Sequence, residues 1–255
     1  MNIEIMTIKC LDDNYAYLLH NHEKNETFLI DAPESSPIIE ILKEKNWKLD
    51  KIFITHHHSD HVMGLNELST KYNPTILGAE FDSHRLPKLD EKLKVNQILN
   101  LGDFKFVVID VPGHTIGHIA LFSKELESVF TGDSLMVFGC GRLFEGAPSI
   151  MWKTLNKFKR LPEYTKVYSG HEYALKNLEF AISIDQNNNE LHKKLTLIKN
   201  NLEKGLPSVP STIKDELQHN IFLRASSPKI KKFFNMENET DEDVFTELRR
   251  RRDEF

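Results

Sequence analysis

The chain has 255 residues, 40% of them hydrophobic and 28% charged, with a formal net charge of −5. That length supports a sizeable core plus a smaller appendage, and no apolar run approaches the roughly 18 residues that a membrane-spanning helix needs. The charge argues against a nucleic-acid binder held by a general basic field, because neutralising phosphates takes clustered Lys and Arg, and the most visible basic run is Arg249 to Arg252 near the end.

Residues 1–6 carry an acid, Glu4, where a signal peptide would have a basic start, so they read as a first strand. Two dispersed cysteines, Cys10 and Cys140, make no disulfide framework and fit a reducing compartment, hence the cytoplasm. Residues 3–8, 15–19 and 27–30 read as strands of an antiparallel meander. Ser36 is expected to cap a helix with Pro37 at its first position and Ile38, Ile41 and Leu42 on its apolar stripe. Strands follow at 51–54, 75–77, 104–111, 119–122, 128–130 and 166–168, with a helix at 64–72. Beyond Tyr173 the texture is helical and no strand is convincing. Helices are expected at 175–181, at 189–202 before Gly205 and Pro207, after a Thr212 cap, and from Asp241 to about Arg252 behind Thr240 and Asp243. The domain boundary is placed near 173, giving a catalytic domain 1–173 and a small helical domain 174–255.

The stretch Thr55 to His61 contains four histidines and an aspartate in seven residues. Such groups are expensive to bury unpaired, and the cluster would repel itself if protonated, so a cation is the leading explanation. Four strand-like runs end in ligand-type residues: His56, His58, Asp60 and His61 after the first, then His114, Asp133 and His171. In an extended loop, residues two apart face the same side, so His56 and His58 can grip one ion while Asp60 and His61, past the turn into a helix, serve another. Adding His114 to the first pair and His171 to the second leaves Asp133, a carboxylate suited to bridging two cations. Each ion then keeps room for water, as a catalytic site requires. Taken alone, Asp133 and His171 would be ordinary turn residues. His57 is expected to point away, His118 to support or pack, and His20, His22, His84 and His219 to be ordinary core or surface histidines.

Thr55-His56-x-His58-x-Asp60-His61, His114 between Gly113 and Thr115, Thr131-Gly132-Asp133 and Gly170-His171-Glu172-Tyr173 resemble the metallo-β-lactamase superfamily, in its dinuclear hydrolase branch. Residues 139–146, 177–181, 209–212, 220–224 and 249–255 narrow the resemblance to the glyoxalase II (hydroxyacylglutathione hydrolase) family, nearly end to end. The resemblance implies an αββα sandwich with metals at one edge and a helical C-terminal domain that helps bind glutathione. It implies hydrolysis of S-D-lactoylglutathione to D-lactate and glutathione, the second step of methylglyoxal detoxification. The glutathione contacts it implies fall on Arg142, Phe144, Tyr173, Arg249 and Arg252. The family commonly has Lys in place of Arg142, Tyr in place of Phe144 and Pro in place of Ile221; the lost hydroxyl at 144 would cost roughly 1 kcal/mol of binding. Phe245, Leu248, Arg249 and Arg252 share one helical stripe, and Arg250 and Arg251 fall off it.

Two divalent ions, Zn foremost with Fe or Mn as alternatives, would hold a bridging hydroxide that attacks the thioester, with Asp60 and Asp133 as the catalytic carboxylates. A thiol pKa of about 8.5 makes a general acid unnecessary. The expected protein is a cytoplasmic monomer with a small-molecule partner and neither nucleic acid nor membrane. Competing readings are a lactonase or phosphodiesterase/nuclease of the same fold, a mononuclear iron enzyme oxidising glutathione persulfide, and a metal-stabilised binding module.

Overall fold

The computed structural model describes residues 3–255; Met1 and Asn2, read above as the start of the first strand, lie outside the described residues. The chain divides into two compact units, residues 1–110 with 117–132 and residues 111–116 with 133–255.

The first unit holds a sheet of order β1-β2-β3-β4-β5-β6, where β1 is Ile3–Cys10, β2 Asn14–Asn21, β3 Glu26–Ile30, β4 Lys51–Phe53, β5 Thr75–Ala79 and β6 Glu91–Leu93. β1, β2 and β3 form the expected antiparallel meander, and from β3 to β6 the pairing is parallel. Parallel neighbours need a crossover, supplied by α1 (Ser35–Glu44) and then by α2 (Ser59–Val62) with α3 (Leu65–Tyr72). The loops leaving β3 and β4 therefore open at the same carboxyl edge, where side chains with chemistry can be gathered. β7 (Ile98–Leu101), β8 (Phe104–Asp110), β9 (Ile119–Ser123) and β10 (Ser128–Gly132) pair antiparallel in sequence order. On β8 the buried residues are Phe106 and Val108, two apart, so one face turns inward. Phe106 meets Phe28 of β3 edge-on at 6.1 Å, and Phe130 of β10 meets Tyr17 of β2 at 5.5 Å. Burying each such ring contributes roughly 1.5–3 kcal/mol and joins the two strand layers.

The second unit begins with a short hairpin, β11 (Leu135–Met136) and β12 (Gly139–Cys140), followed by α4 (Pro148–Phe158) and β13 (Lys166–Ser169). Then come α5 (Ala174–Ile184), α6 (Asn189–Glu203), β14 (Ser211–Thr212), α7 (Ile213–His219), α8 (Pro228–Phe234) and α9 (Asp241–Glu254). Phe222 packs between Phe180 of α5 and Phe245 of α9, each 6.0 Å away, and Trp152 of α4 stacks on Phe245 at 5.5 Å. Thr240 and Asp243 form the expected capping box on α9. Phe245, Leu248 and Arg249 are buried and Arg250 and Arg251 face solvent, as the stripe requires.

Some expectations change. Helix α1 starts at Ser35 behind Glu34, whose side chain makes no cap, so Ser36 lies inside the helix and Pro37 one residue further in. The first four N–H groups of a helix lack intrahelical acceptors, so a proline anywhere in that turn costs little. A strand does occur beyond Tyr173: β14 pairs with β13 through Lys166↔Thr212 and Val167↔Ser211. Two residues carry no periodicity, and the partner's backbone decides their state. Helix α4 went unread although Pro148 at its start and Met151, Thr154, Leu155 and Phe158 on its buried face give the signal.

A buried carboxyl ties α7 to the hairpin. Glu216 Oε2 accepts Phe138 N–H at 2.9 Å and Asn220 Nδ2–H at 2.8 Å, and Ser211 Oγ bonds Oε1 at 2.6 Å. Burial outweighs these bonds and pushes Glu216 up from 4.5 to about 8. Between those values the folded protein holds a proton that the unfolded chain has released, so this group's stabilisation is complete below about 4.5 and is lost as pH rises to about 8. The expected outcome is that Glu216→Gln, neutral at all pH, removes this fall from urea-melt stabilities measured between pH 5 and 8, whereas Glu216→Ala costs roughly 2–4 kcal/mol throughout.

Candidate metal centre

In the first unit the ligand-type residues follow β4. The chain bends at Thr55 and reaches His58, which is extended, before Asp60 and His61 on the one-turn helix α2. His56 Nε2 and His58 Nδ1 lie 3.1 Å apart, the His56 and His61 rings 4.2 Å apart, and Asp60 Oδ2 stands 3.7 Å from His61 Nε2. Asp31, at the end of β3, organises this half. Its backbone is left-handed at φ 57°, and its buried carboxylate accepts Thr55 N–H at 2.8 Å, Thr55 Oγ1–H at 2.8 Å and His61 Nδ1–H at 2.8 Å. With its proton given to Asp31, the Thr55 hydroxyl accepts from His56 Nδ1 at 3.0 Å. His56 and His61 are thereby set in the tautomer that leaves the Nε2 lone pair for a cation. Asn14 Nδ2 donates to Asp60 Oδ2 at 3.0 Å and to its carbonyl at 3.1 Å, fixing that side chain too.

In the second unit Asp133 meets two imidazoles, His114 Nε2 at 3.4 Å and His171 Nε2 at 3.2 Å from its Oδ2. His114 Nδ1 donates to the Arg142 carbonyl at 2.8 Å, again turning the Nε2 lone pair inward. Gly141 is required here: a Cβ would stand 2.0 Å from the Asp133 carbonyl oxygen and 2.9 Å from His114 Nδ1. His171 stacks on Tyr173 at 4.8 Å.

These donors fit a metal centre. Two ligands bound about 2.05 Å from one tetrahedral ion stand roughly 3.3 Å apart, close to the separations seen within each half. Nitrogen and carboxylate oxygen donors, buried except for the part-exposed His58 and Asp60 and with the outer nitrogens of His56, His61 and His114 already bonded to protein, are the set a divalent cation takes.

The other histidines separate by role. His57 turns to the buried Asp82, 3.1 Å away, which also pairs with Arg85 at 2.6 Å. His118 is buried and stacks on His56 at 4.6 Å. His20 stacks on Trp47, and His219 is held by the Asp215 carbonyl.

The residues expected to meet glutathione lie in the second unit. Arg142 and Phe144 are exposed, at 55% and 60%, with the guanidinium 6.0 Å from the ring and the ring 5.2 Å from that of His114. Asp253 Oδ1 accepts from Arg142 Nε at 3.3 Å and from Arg249 Nη2 at 2.8 Å. Arg249 is only 6% exposed; its guanidinium donates to the Cys140 carbonyl at 2.9 Å and lies over Phe222. It holds α9 to the hairpin, and Asp253 links it to Arg142. Arg252 is half-buried over Phe180 and Phe255 and reaches Asn177 Oδ1 at 3.4 Å; burial and then the Arg249 charge hold it below the usual arginine value.

Sequence reasoning passed over Asp31, Asn14 and Asp253. Asp31 carried the signal used for the ligands, an acid directly after an apolar strand, whereas Asn14 and Asp253 carried none. Asp31→Ala is expected to weaken divalent-metal affinity about 10–100-fold, measured by chelator competition, because His61 and Thr55 lose their anchor. Gly141→Ala is expected to cause greater loss of bound metal than Ala substitution at Gly205, which has nothing within 4 Å of its Cβ position.

Comparison with known proteins places the chain as a whole. Residues 11–171 match the metallo-beta-lactamase superfamily model and residues 172–255 the model of the hydroxyacylglutathione hydrolase C-terminus. The chain is 46% identical to the hydroxyacylglutathione hydrolase of Roseobacter denitrificans over 255 residues, 100% of each chain. Among solved structures, ETHE1 from Myxococcus xanthus superposes with a TM-score of 0.68 at 21% identity, over 98% of this chain and 90% of that one. TTHA1623 in a di-iron-bound form superposes with a TM-score of 0.57 at 25% identity, over 66% of this chain and 91% of that one. The fold is the metallo-beta-lactamase fold with a helical C-terminal domain, and its family implies a dinuclear divalent-metal centre. The chain belongs to the hydroxyacylglutathione hydrolase family of the metallo-beta-lactamase superfamily.

Proposed function

We propose that this chain hydrolyses the thioester of S-(2-hydroxyacyl)glutathione, chiefly S-D-lactoylglutathione, to the 2-hydroxy acid and free glutathione. The observation that carries this reading is full-length identity of 46% with a hydroxyacylglutathione hydrolase, in a chain that has every expected ligand. A lactonase, a phosphodiesterase or a persulfide dioxygenase of the same fold draws no comparable support.

His56, His58 and His114 would hold one divalent ion, Asp60, His61 and His171 a second, and Asp133 both. The first 173 residues would carry the chemistry, and residues 174–255 would supply glutathione contacts. When bound, divalent ions on such donors supply water acidified to near neutrality and a polarised carbonyl; His and Asp donors suit Zn, with Fe or Mn as alternatives. Asp60, its carboxylate held by Asn14, takes up and passes on the water's proton. Asp133, with Oδ2 3.4 Å from His114 Nε2 and 3.2 Å from His171 Nε2, would give its carboxylate to the same cations as those imidazoles. Water oxygen adds to the carbonyl carbon, the carbon–sulfur bond breaks, and the thiolate departs with the electron pair before collecting a proton. A leaving group with a pKa of about 8.5 needs no acid.

Glutathione carries carboxylates that Arg142 and Arg252 are suited to pair, with Tyr173 and Phe144 lining the same approach and Arg249 acting through Asp253. Phe144 offers a ring face without a hydroxyl, so shape and cation–π contact with Arg142 take the place of a hydrogen bond. No helix among the described residues is long and apolar enough to cross a membrane. Both cysteines are free and buried, which supports a reducing compartment; the cytoplasm and a monomeric state are part of the proposal.

With metal supplied, the protein is expected to remove the thioester absorbance of S-D-lactoylglutathione, and His58→Ala to lose about 100-fold or more in kcat. No turnover by the intact, metal-loaded chain would overturn the function. Arg142→Ala combined with Arg252→Ala is expected to raise KM about tenfold or more with kcat largely kept, since each charged hydrogen bond is worth roughly 1.5–3 kcal/mol. An unchanged KM removes these arginines from the binding site.

A further inference from the structure

We propose that Glu216 and Asn220 are positioning residues for the reaction: they hold the hairpin between Asp133 and Arg142 in the one shape that sets both. Only the kinetic arm of this inference rests on the hydrolase reading above.

The hairpin cannot hold itself. It has two strand pairs, Leu135↔Cys140 and Met136↔Gly139, too few for independent stability. Its turn contains Phe138 in the left-handed region at φ 59°, a conformation that a bulky L-residue keeps only when its surroundings impose it. The surroundings here are α7 and its C-cap. Phe138 N–H donates to Glu216 Oε2 at 2.9 Å, and Asn220 Nδ2 donates to the next carbonyl, Gly139 O, at 2.9 Å. Asn220 also donates to Glu216 Oε2 at 2.8 Å, while its own Oδ1 accepts Phe222 N–H at 3.1 Å, so the amide has one orientation. Ser211 Oγ closes the network on Glu216 Oε1 at 2.6 Å. Both Glu216 and Asn220 are fully buried.

The hairpin's shape reaches the chemistry through the backbone on either side. Asp133 lies two residues before β11 begins, and Gly141, directly after the returning strand, lies so close to the Asp133 carbonyl that a Cβ would meet its oxygen at 2.0 Å. The next residue, Arg142, accepts His114 Nδ1–H at its carbonyl and presents its exposed guanidinium beside Phe144. A displaced turn would therefore move Asp133, the anchor of His114 and Arg142 together. Asn177 on Val137 O at 3.0 Å and Arg249 on Cys140 O at 2.9 Å also brace the hairpin, but Asn177 meets Arg252 as well, and Arg249 meets Asp253, the partner of Arg142. Glu216 and Asn220 touch none of these arginines; Asn220 reaches Arg249 only at one remove, through Phe222, so the hairpin is their direct route to Asp133 and Arg142.

The test uses the full, metal-loaded chain and the variants Asn220→Ala, Ser211→Ala and Glu216→Gln, with hydrogen exchange by mass spectrometry, thermal unfolding and S-D-lactoylglutathione kinetics. Asn220→Ala is expected to speed exchange about tenfold or more in residues 133–144, to leave residues 3–93 unchanged, and to lower kcat about tenfold while folded at the assay temperature. Glu216→Gln, which keeps the Oε2 acceptor, is expected to match the parent in both readouts. Unchanged exchange in 133–144, or a loss of activity that tracks only the unfolded fraction, overturns the proposal. Should Asn220→Ala not fold, Ser211→Ala removes a single bond of the network and is judged by the same two readouts. A parent protein without turnover would sink the hydrolase reading, and exchange in 133–144 would still decide the positioning role.

Discussion

Everything at the candidate centre depends on where each imidazole keeps its proton. A neutral histidine ligates through the lone pair of one nitrogen while the other carries the proton, and for His56, His61 and His114 a protein acceptor holds that proton. Asp31 does so directly for His61 and through the Thr55 hydroxyl for His56, and the Arg142 carbonyl does so for His114. Without these acceptors nothing would fix the tautomer or the ring orientation of the same histidines. Asp31 is able to serve two ligands because β3 and β4 are parallel neighbours whose carboxyl ends open at one edge.

The second unit answers a different constraint, which is how to hold a short, strained hairpin beside Asp133. Its backbone groups are taken up by side chains from three helices: Asn177 of α5, Glu216 with the C-cap Asn220 of α7, and Arg249 of α9. The C-terminal helices thus hold the hairpin as well as carrying Arg249 and Arg252. They brace the backbone that runs from Asp133 to Arg142. Arg249 illustrates the division of labour, being buried and engaged by the hairpin while Arg142 and Arg252 keep more open guanidinium surface.

The ligand types were legible because metal chemistry needs particular side chains, and Thr55 to His61 concentrates them beyond what packing explains. The stripe of Phe245, Leu248, Arg249 and Arg252 was legible for a similar reason, since helical spacing determines which side chains share a face. The outer acceptors were not. Asn14 and Asp60 are 46 positions apart, Arg249 and Cys140 109 apart, and no local pattern joins such pairs. Likewise β14 is a strand only because β13 offers it a ladder.

By itself, then, the sequence determined which atoms can ligate, which face of the last helix turns inward, and the family to which the chain belongs. Those depend on side-chain chemistry and on short-range periodicity. The tertiary structure decided which lone pairs the histidines present, which arginine is buried and which is open, and what holds Phe138 in a left-handed turn. Each of those depends on partners far away in the chain, and only folding brings them within hydrogen-bond reach.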